Sequence, residues 1–487
     1  MRFTRIFAAI AVVLSLTAGC RRPDSDEVKV VVIGSSPRFA DPSQRALSPP
    51  DEILLANIAQ GLVRFDAGGQ IEAGLAERWN VSDDGASYVF RIAATQWSDG
   101  SRVTAHQVAR SLRRSLGATS KAQIKDTFGV VSEIVPMTDR VIEIRLRSPR
   151  PNLLQLLAQP EMAIVRDTRG TGPFRLTKKR GPNGELRLKR SLIDPDGENE
   201  REEEVWLSSA DAAGAIAAFL DGRADLMLGG TAADLPLART RSLPRTALRF
   251  DPVAGLFGLL PLRTTGPLAS AEARALLSQV IDRDALVNAL GVPGLFPRAT
   301  ILQAGLEGLG DPLPPDWLAV PVAQRRAALI AEANALFGSE ETPAVRVALP
   351  NGPGADFILR LLQRDWGLLG LKVERAASPS AADFRLIDSV APSVSPAWFL
   401  RQFRCAATPV CVTEADPLLD AARETAVAPQ RAALLGEAAR MMDAQTLFIP
   451  LSAPVRWSLV SSRVRGFAGN RFGRHTLTGL QEQPGTQ

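Results

Sequence analysis

The stretch from Asn57 to Leu116 restricts the fold more than any other part of the chain, because a strand and a helix are each bounded there by their own turn chemistry. Asp83-Asp84-Gly85 supplies a tight turn, after which Tyr88, Phe90 and Ile92 alternate with Val89 and Arg91 at period two, the pattern of a half-buried strand. A second turn, Ser98-Asp99-Gly100, leads to Thr104. Its hydroxyl can accept from the third helical amide while Gln107 reaches back to the Thr104 amide, so a helix is predicted to start there. Ala105, Val108, Leu112 and Leu116 recur at helical spacing and leave Arg110, Arg113 and Arg114 toward solvent. A capped helix after a hairpin occurs in many folds, so these signals fix mixed α and β structure and no function.

The N-terminus bears on compartment. Arg2 and Arg5 precede an apolar run, Ile6 to Leu16, that is short for a bilayer, and Ala18-Gly19-Cys20 is a small-residue processing site. This resembles a lipoprotein signal, which implies cleavage before Cys20 and acylation of its thiol; an ordinary secretory signal or an uncleaved anchor is the alternative. Residues 21–27, RRPDSDE, then form a polar tether. The chain carries a formal charge of +5, which removal of Arg2 and Arg5 lowers to +3, with both signs interspersed; nucleic acid is not expected as a partner. Cys405 and Cys411 remain, with no histidine near them, and in an oxidising compartment they are expected to form a small loop disulfide rather than a metal pair.

Along the exported part, Val28–Ile33 is a β-branched run opening at Gly34-Ser35-Ser36-Pro37, as for a buried strand. Val141–Leu146 reads as a strand and Asn152–Ala158 as a short helix closed by Pro160. Gly170-Thr171-Gly172-Pro173 lacks the third glycine and the Lys-Ser/Thr of a phosphate loop, so a tight turn is predicted. Within the charge-dense 178–205 segment, Pro182-Asn183-Gly184 is a hairpin tip and GENEREEE a solvated turn. Ser209–Leu220 is predicted as an Ala-rich helix stopped at Gly222, and Ser270–Leu290 as one helix capped by Ser270. Pro261 inside FGLLPL puts that strand at an edge or breaks it. Further helices are expected around 324–337, 357–369 and 431–442, with strands at 344–349, at 371–373 and around Ile449-Pro450-Leu451.

The order of these words resembles the extracytoplasmic solute-binding proteins of family 5, the oligopeptide and dipeptide type that serve ABC importers. The resemblance rests on GLVRFD, LAERWNVSDDGASYVFRI and WSDGSRVTAHQVARSL, then on Gly170-Thr171-Gly172-Pro173-Phe174, Gly222-Arg223-Ala224-Asp225, Ile281-Asp282-Arg283 and Val464-Arg465-Gly466-Phe467. Gln60 stands where the family usually has Glu, and His106-Gln107 replaces an acidic pair, a change of at most ~1 kcal/mol in the first helical turn. The resemblance implies an α/β, two-lobed periplasmic-binding-protein-like fold of type II with an extra N-terminal subdomain. It divides the chain into a signal (1–19), a tether (20–27), a first lobe from three separated segments (28–56, 168–256 and 452–487), the subdomain (57–167) and a second lobe (257–451).

It also implies capture of a small-molecule or peptide ligand between the lobes by hinge closure. The protein would be a monomer with no cofactor or metal, partnered by the membrane subunits of an ABC importer and by the bilayer through its acylated N-terminus. The end of the first strand, at Ser35 and Ser36, would lie at the cleft. In the second lobe Asp388 is the candidate acid for a peptide amino terminus, Trp398 and Phe399 the apolar wall, and Arg401, beside Arg404, a site for an anionic group. One Tyr and 6% aromatics are sparse for a cleft that stacks its ligand. Two other functions stay open. A binding-fold protein that has lost transport could act as a sensor or partner module, and a carboxylate hydrolase ranks third because the two histidines, His106 and His475, belong to no catalytic motif.

Overall fold

The computed structural model describes residues 27–167, 169–193, 200–338 and 344–481. Cys20, with the export signal and most of the tether, lies outside the described residues.

The segment between Asn57 and Leu116 folds as its local signals require. Thr104 Oγ1 accepts from Gln107 N at 3.3 Å and Gln107 Oε1 accepts from Thr104 N at 3.2 Å, closing the capping box. The same Gln107 oxygen accepts from Trp97 Nε1 at 2.9 Å, so the cap is tied to the preceding turn. Tyr88, Phe90 and Ile92 are buried against Val108 and Leu112.

In chain order the elements begin with β1 (Glu27–Ile33), α1 (Pro49–Ile58), β2 (Val63–Phe65), β3 (Ile71–Ala73), β4 (Ala76–Val81), β5 (Ser87–Ile92), α2 (Ala105–Leu116), β6 (Val131–Thr138), β7 (Val141–Leu146) and α3 (Leu153–Leu157). They continue with β8 (Arg175–Arg180), β9 (Leu186–Ile193), β10 (Glu200–Ala210), α4 (Ala212–Leu220), β11 (Leu226–Thr231), α5 (Leu235–Arg239), β12 (Leu248–Asp251) and β13 (Gly255–Pro261). The remainder holds α6 (Ala271–Val280), α7 (Arg283–Leu290), α8 (Val322–Phe337), β14 (Ala344–Ala348), α9 (Pro353–Gly367), β15 (Lys372–Arg375), β16 (Phe384–Val390), α10 (Pro396–Arg401), α11 (Ala415–Glu424), α12 (Ala428–Ala444), β17 (Ile449–Ser452) and β18 (Arg456–Val460).

Two large sheets organise these elements. One has the order β12-β18-β11-β1-β10-β9-β8 among the described residues, the other β15-β14-β16-β13-β17. β1 lies parallel to both β10 and β11, which is why its Val run needs no polar face. A third sheet, β4-β5-β7-β6, packs on α2 and makes the subdomain. The chain passes between the two large sheets twice, at residues 252–254 and 453–455. An apolar cluster spans these crossings, from Phe219 and Met227 to Trp366 and Phe384. Beside them Gly354 N donates to Ala233 O at 2.9 Å, and a Cβ on Gly354 would stand 2.0 Å from the Ala232 carbonyl oxygen, so only glycine permits this approach. The C-terminal segment returns across the first lobe. There Arg474 pairs with Glu52 of α1, and His475 Nε2 sits 3.1 Å from Asp251 Oδ2. Among the described residues no helix is long and apolar enough to cross a membrane.

Several local expectations are corrected. Pro261 neither breaks its strand nor puts it at an edge. β13 is flanked by β16 and β17, and Pro261 is its last residue, beyond the point where β17 pairs with it. The described part of GENEREEE is no turn: Glu200–Glu204 begin an eleven-residue strand, because β9 presents Arg187, Lys189 and Arg190 to Glu204, Glu202 and Glu203. Cross-strand pairing converts a charge run into a ladder. The helix expected from Ser209 starts at Ala212, capped by Asp211, because β10 runs on to Ala210. Ser270–Leu290 forms two helices, since Asp282 caps a second one by accepting from Ala285 N at 2.9 Å. Gly170-Thr171-Gly172 runs against the end of α1 and bends from Gly172 to Phe174, without the hydrogen-bonded tight turn expected. Gly172 N donates to Ile58 O at 3.1 Å, and a Cβ on Gly170 would meet that oxygen at 2.3 Å.

Candidate functional site

The segment around α3 meets α10 and the loop before it, residues distant in sequence, around an enclosed space. The α3 segment presents its polar side chains to the backbone of 392–394. Asn152 Nδ2 donates to Ser393 Oγ at 3.2 Å, Gln159 Nε2 to Pro392 O at 2.8 Å, and Gln155 Oε1 accepts from Val394 N at 3.2 Å. Asn152, Gln159 and Ser393 are all buried, so each needs its partner across the gap. Farther out Arg150 Nη2 and Ser148 Oγ donate to the Arg423 carbonyl, each at 2.6 Å. Arg431 Nη1 donates to Pro149 O at 2.8 Å, and Arg401 Nη1 to Asp126 O at 2.9 Å.

These bonds surround a cavity of about 140 Å³. Leu153, Leu156, Trp398, Leu419 and Leu435 make its apolar wall, and Arg150, Arg401, Arg423 and Arg431 contribute guanidiniums, against one acid, Glu307. Burial, together with the neighbouring charges of Arg431 and Arg401, holds Arg150 down to about 10; Arg401 is likewise lowered to about 10 by burial and by Arg423 and Arg404. Burial raises Glu307, opposed by Arg431 and Arg150. Arg401 and Arg423 also line a wider groove of about 860 Å³ outside the cavity, with Arg113, Lys125, Arg147 and Arg404.

Two of the residues named from sequence meet at this cavity. Trp398 and Arg401 both line it. Phe399 is fully buried behind Trp398, with ring centroids 5.0 Å apart and edge to face, and serves the core. Asp388 Oδ1 accepts from Arg456 Nη1 at 2.7 Å, which ties β16 to β18 across the crossings, and Asp388 lies outside this lining. Ser35 and Ser36 are exposed beyond β1 and outside this lining, with Ser35 Oγ 3.4 Å from Ser48 Oγ. Arg404 is held by Asp420 through two 2.7 Å bonds. Cys405 and Cys411 are joined as a disulfide with Cα atoms 5.1 Å apart. Sequence reasoning missed Arg150, Asn152, Glu307, Ser393, Arg423 and Arg431. The surplus of arginine near the second-lobe segment was the one signal pointing toward them.

A family model described as "Bacterial extracellular solute-binding proteins, family 5 Middle" matches residues 70–398. The chain is 29% identical over 149 residues to the "Probable deoxycholate-binding periplasmic protein YgiS" of Escherichia coli K12, covering 27% of this chain and 28% of that protein. It is 30% identical over 129 residues to the "Periplasmic oligopeptide-binding protein OppA" of Haemophilus influenzae, covering 25% of this chain and 24% of the relative. Each match thus spans about a quarter of the relative's length. The fold is similar to the crystal structure of Haemophilus influenzae OppA in complex with RPPGFSPFR, with a TM-score of 0.77 and 16% identity over 93% of this chain and 98% of that one. This likeness establishes the two-lobed architecture.

Proposed function

We propose that this chain, which belongs to the bacterial extracellular solute-binding proteins of family 5, is the solute-capturing subunit of an ABC importer. Its two lobes close on a peptide or peptide-sized solute by turning about the crossings at 252–254 and 453–455. The observation that carries this reading is the cavity between α3 and α10, roofed by side chains of one body that bond the backbone of the other. Such contacts form and break as a unit when lobes move. Binding is non-covalent, by the shape and charge of the cavity, in which Glu307 is the one acid among the described lining residues.

The remaining parts of the reading follow from it. The protein is held outside the cytoplasm by acylated Cys20 and the 20–27 tether, works as a monomer, and presents its closed face to the membrane subunits. The first lobe comprises 28–56, 168–256 and 452–487, the subdomain 57–167 and the second lobe 257–451. A second reading, a sensor or partner module without transport, is favoured by one observation: about 140 Å³ is below the roughly 300–1,000 Å³ of common ligand pockets.

Native mass spectrometry of protein purified without denaturation separates the two. A co-purified solute of defined mass supports capture. A thermal-shift panel of peptides, sugars and amino acids is a second check, since a ligand at 100 times its Kd adds ~2.7 kcal/mol. Absence of any bound mass together with a flat panel overturns capture and favours the partner module.

A further inference from the structure

We infer that the α3–α10 cavity receives the carboxylate-bearing end of an apolar solute no larger there than one aromatic ring, and that the outer groove is its route in. The inference rests on the solute-capture reading and names its ligand class.

Size comes first. About 140 Å³ is close to the ~150 Å³ of an apolar cavity that accepts benzene, so one ring or a short branched alkyl group fits beside the leucines and Trp398. Charge then selects what the ring carries. Among the described residues no carboxylate lies within 4.0 Å of the guanidiniums of Arg150, Arg401 or Arg431, whereas Arg423 is engaged by Asp420 at 3.1 Å. Arg150 and Arg431 therefore face Glu307 across the cavity, while Arg401 has Asp420 and Asp126 as its neighbouring acids, neither within ion-pair distance. The Nε atoms of Arg401 and Arg423 are buried without a hydrogen-bond partner, so two donors at the partition between cavity and groove await an acceptor. Burial and neighbouring guanidiniums, Arg431 and Arg401 for Arg150 and Arg423 and Arg404 for Arg401, already disfavour the charged state of both, and an anion beside them offsets this. Planar guanidiniums match a carboxylate in geometry as well as in sign.

Access follows from the shared residues. Arg401 and Arg423 line both the cavity and the groove of about 860 Å³, whose other cations include Arg113, Lys125 and Arg147. The donors of these last three bond backbone carbonyls, those of Ile134, of Ala118 and Ser120, and of Gly129, which leaves their charge for the groove. The groove's six cations outnumber its two acids, Asp126 and Glu133, the latter paired with Arg145, and such a field draws anions inward. A free aryl or alkyl carboxylate would lie wholly in the cavity. A peptide would place its C-terminal residue there and run the rest out between Arg401 and Arg423.

Calorimetric titration of the purified protein at pH 8 with 3-phenylpropanoate, Ala-Ala-Phe and the C-terminal amide of Ala-Ala-Phe tests this. Binding of 3-phenylpropanoate or Ala-Ala-Phe with the amide at least tenfold weaker is expected, and the stronger of the two acids identifies the source. Arg401→Gln should weaken the acid by about ten- to a hundredfold, the loss of one charge-assisted bond. Glu307→Gln removes the one acid among the described lining residues and should strengthen binding several-fold, a gain that damage to the fold cannot produce. Equal affinity for acid and amide, or no gain in Glu307→Gln, overturns the carboxylate assignment and leaves solute capture standing. Failure of all three probes does the same, and capture falls with it only where no solute co-purifies and the panel of peptides, sugars and amino acids is also flat.

Discussion

Asp443, in α12, gives the sharpest test of how burial acts on this protein. It accepts from Ile301 N at 3.0 Å, and desolvation raises its carboxyl to about 7 from an ordinary 3.8. The folded state therefore holds this proton more tightly than the unfolded chain does. The stability it contributes is fully present below pH ~4 and is lost as pH rises through 7, with a slope of about 1.4 kcal/mol per pH unit in between. The shift of about three units corresponds to a ceiling of ~4 kcal/mol, since the side chain keeps some contact with solvent. Asp443→Asn retains an oxygen for the Ile301 amide and removes the titration. Urea unfolding followed by tryptophan fluorescence at pH 5, 6, 7 and 8 should show the variant gaining on the parent as pH rises, by ~2 kcal/mol or more between pH 5 and 8. Reading the difference cancels the other raised acids, Glu307 among them. A difference that is the same at every pH would refute the reasoning, because a purely steric effect of the substitution carries no pH dependence.

Three further outcomes follow from the packing. Trp366 is fully buried, donates Nε1–H to Leu277 O at 3.0 Å and lies 5.2 Å from the Phe384 ring, so Trp366→Ala should cost about 3–5 kcal/mol in urea unfolding; a loss under 1 kcal/mol would contradict its place in the core. Cys405 and Cys411 should resist alkylation in the unreduced protein, and replacing both by Ser should lower stability by ~2 kcal/mol, as for a short closed loop; two alkylated thiols in the native protein would end this. Asp388→Asn removes the ion pair across the crossings, and because both partners are one-fifth exposed the expected cost is only ~1 kcal/mol; small-angle scattering should show a more open average shape without ligand, and an unchanged radius would deny the pair a part in closure.

The sequence by itself determined whatever depends on neighbours four residues apart. The Thr104 cap, the period-two strand Ser87–Ile92 and the hairpin at Pro182-Asn183-Gly184 all formed where local chemistry put them. The order of such words carried the family, and with it the two-lobed architecture. Where a distant strand supplied the partner, local reading failed. Glu200–Glu204 looked like a solvated turn until β9 brought cations opposite it. The cavity belongs wholly to tertiary structure. Arg150, Glu307, Arg401, Arg423 and Arg431 come from four separate stretches, and an arginine's neighbours decide whether its charge is neutralised, solvated or left facing an empty space. That depends on distances of a few ångströms, because Coulomb energies and hydrogen bonds fall away over that range, and no spacing along the chain encodes them.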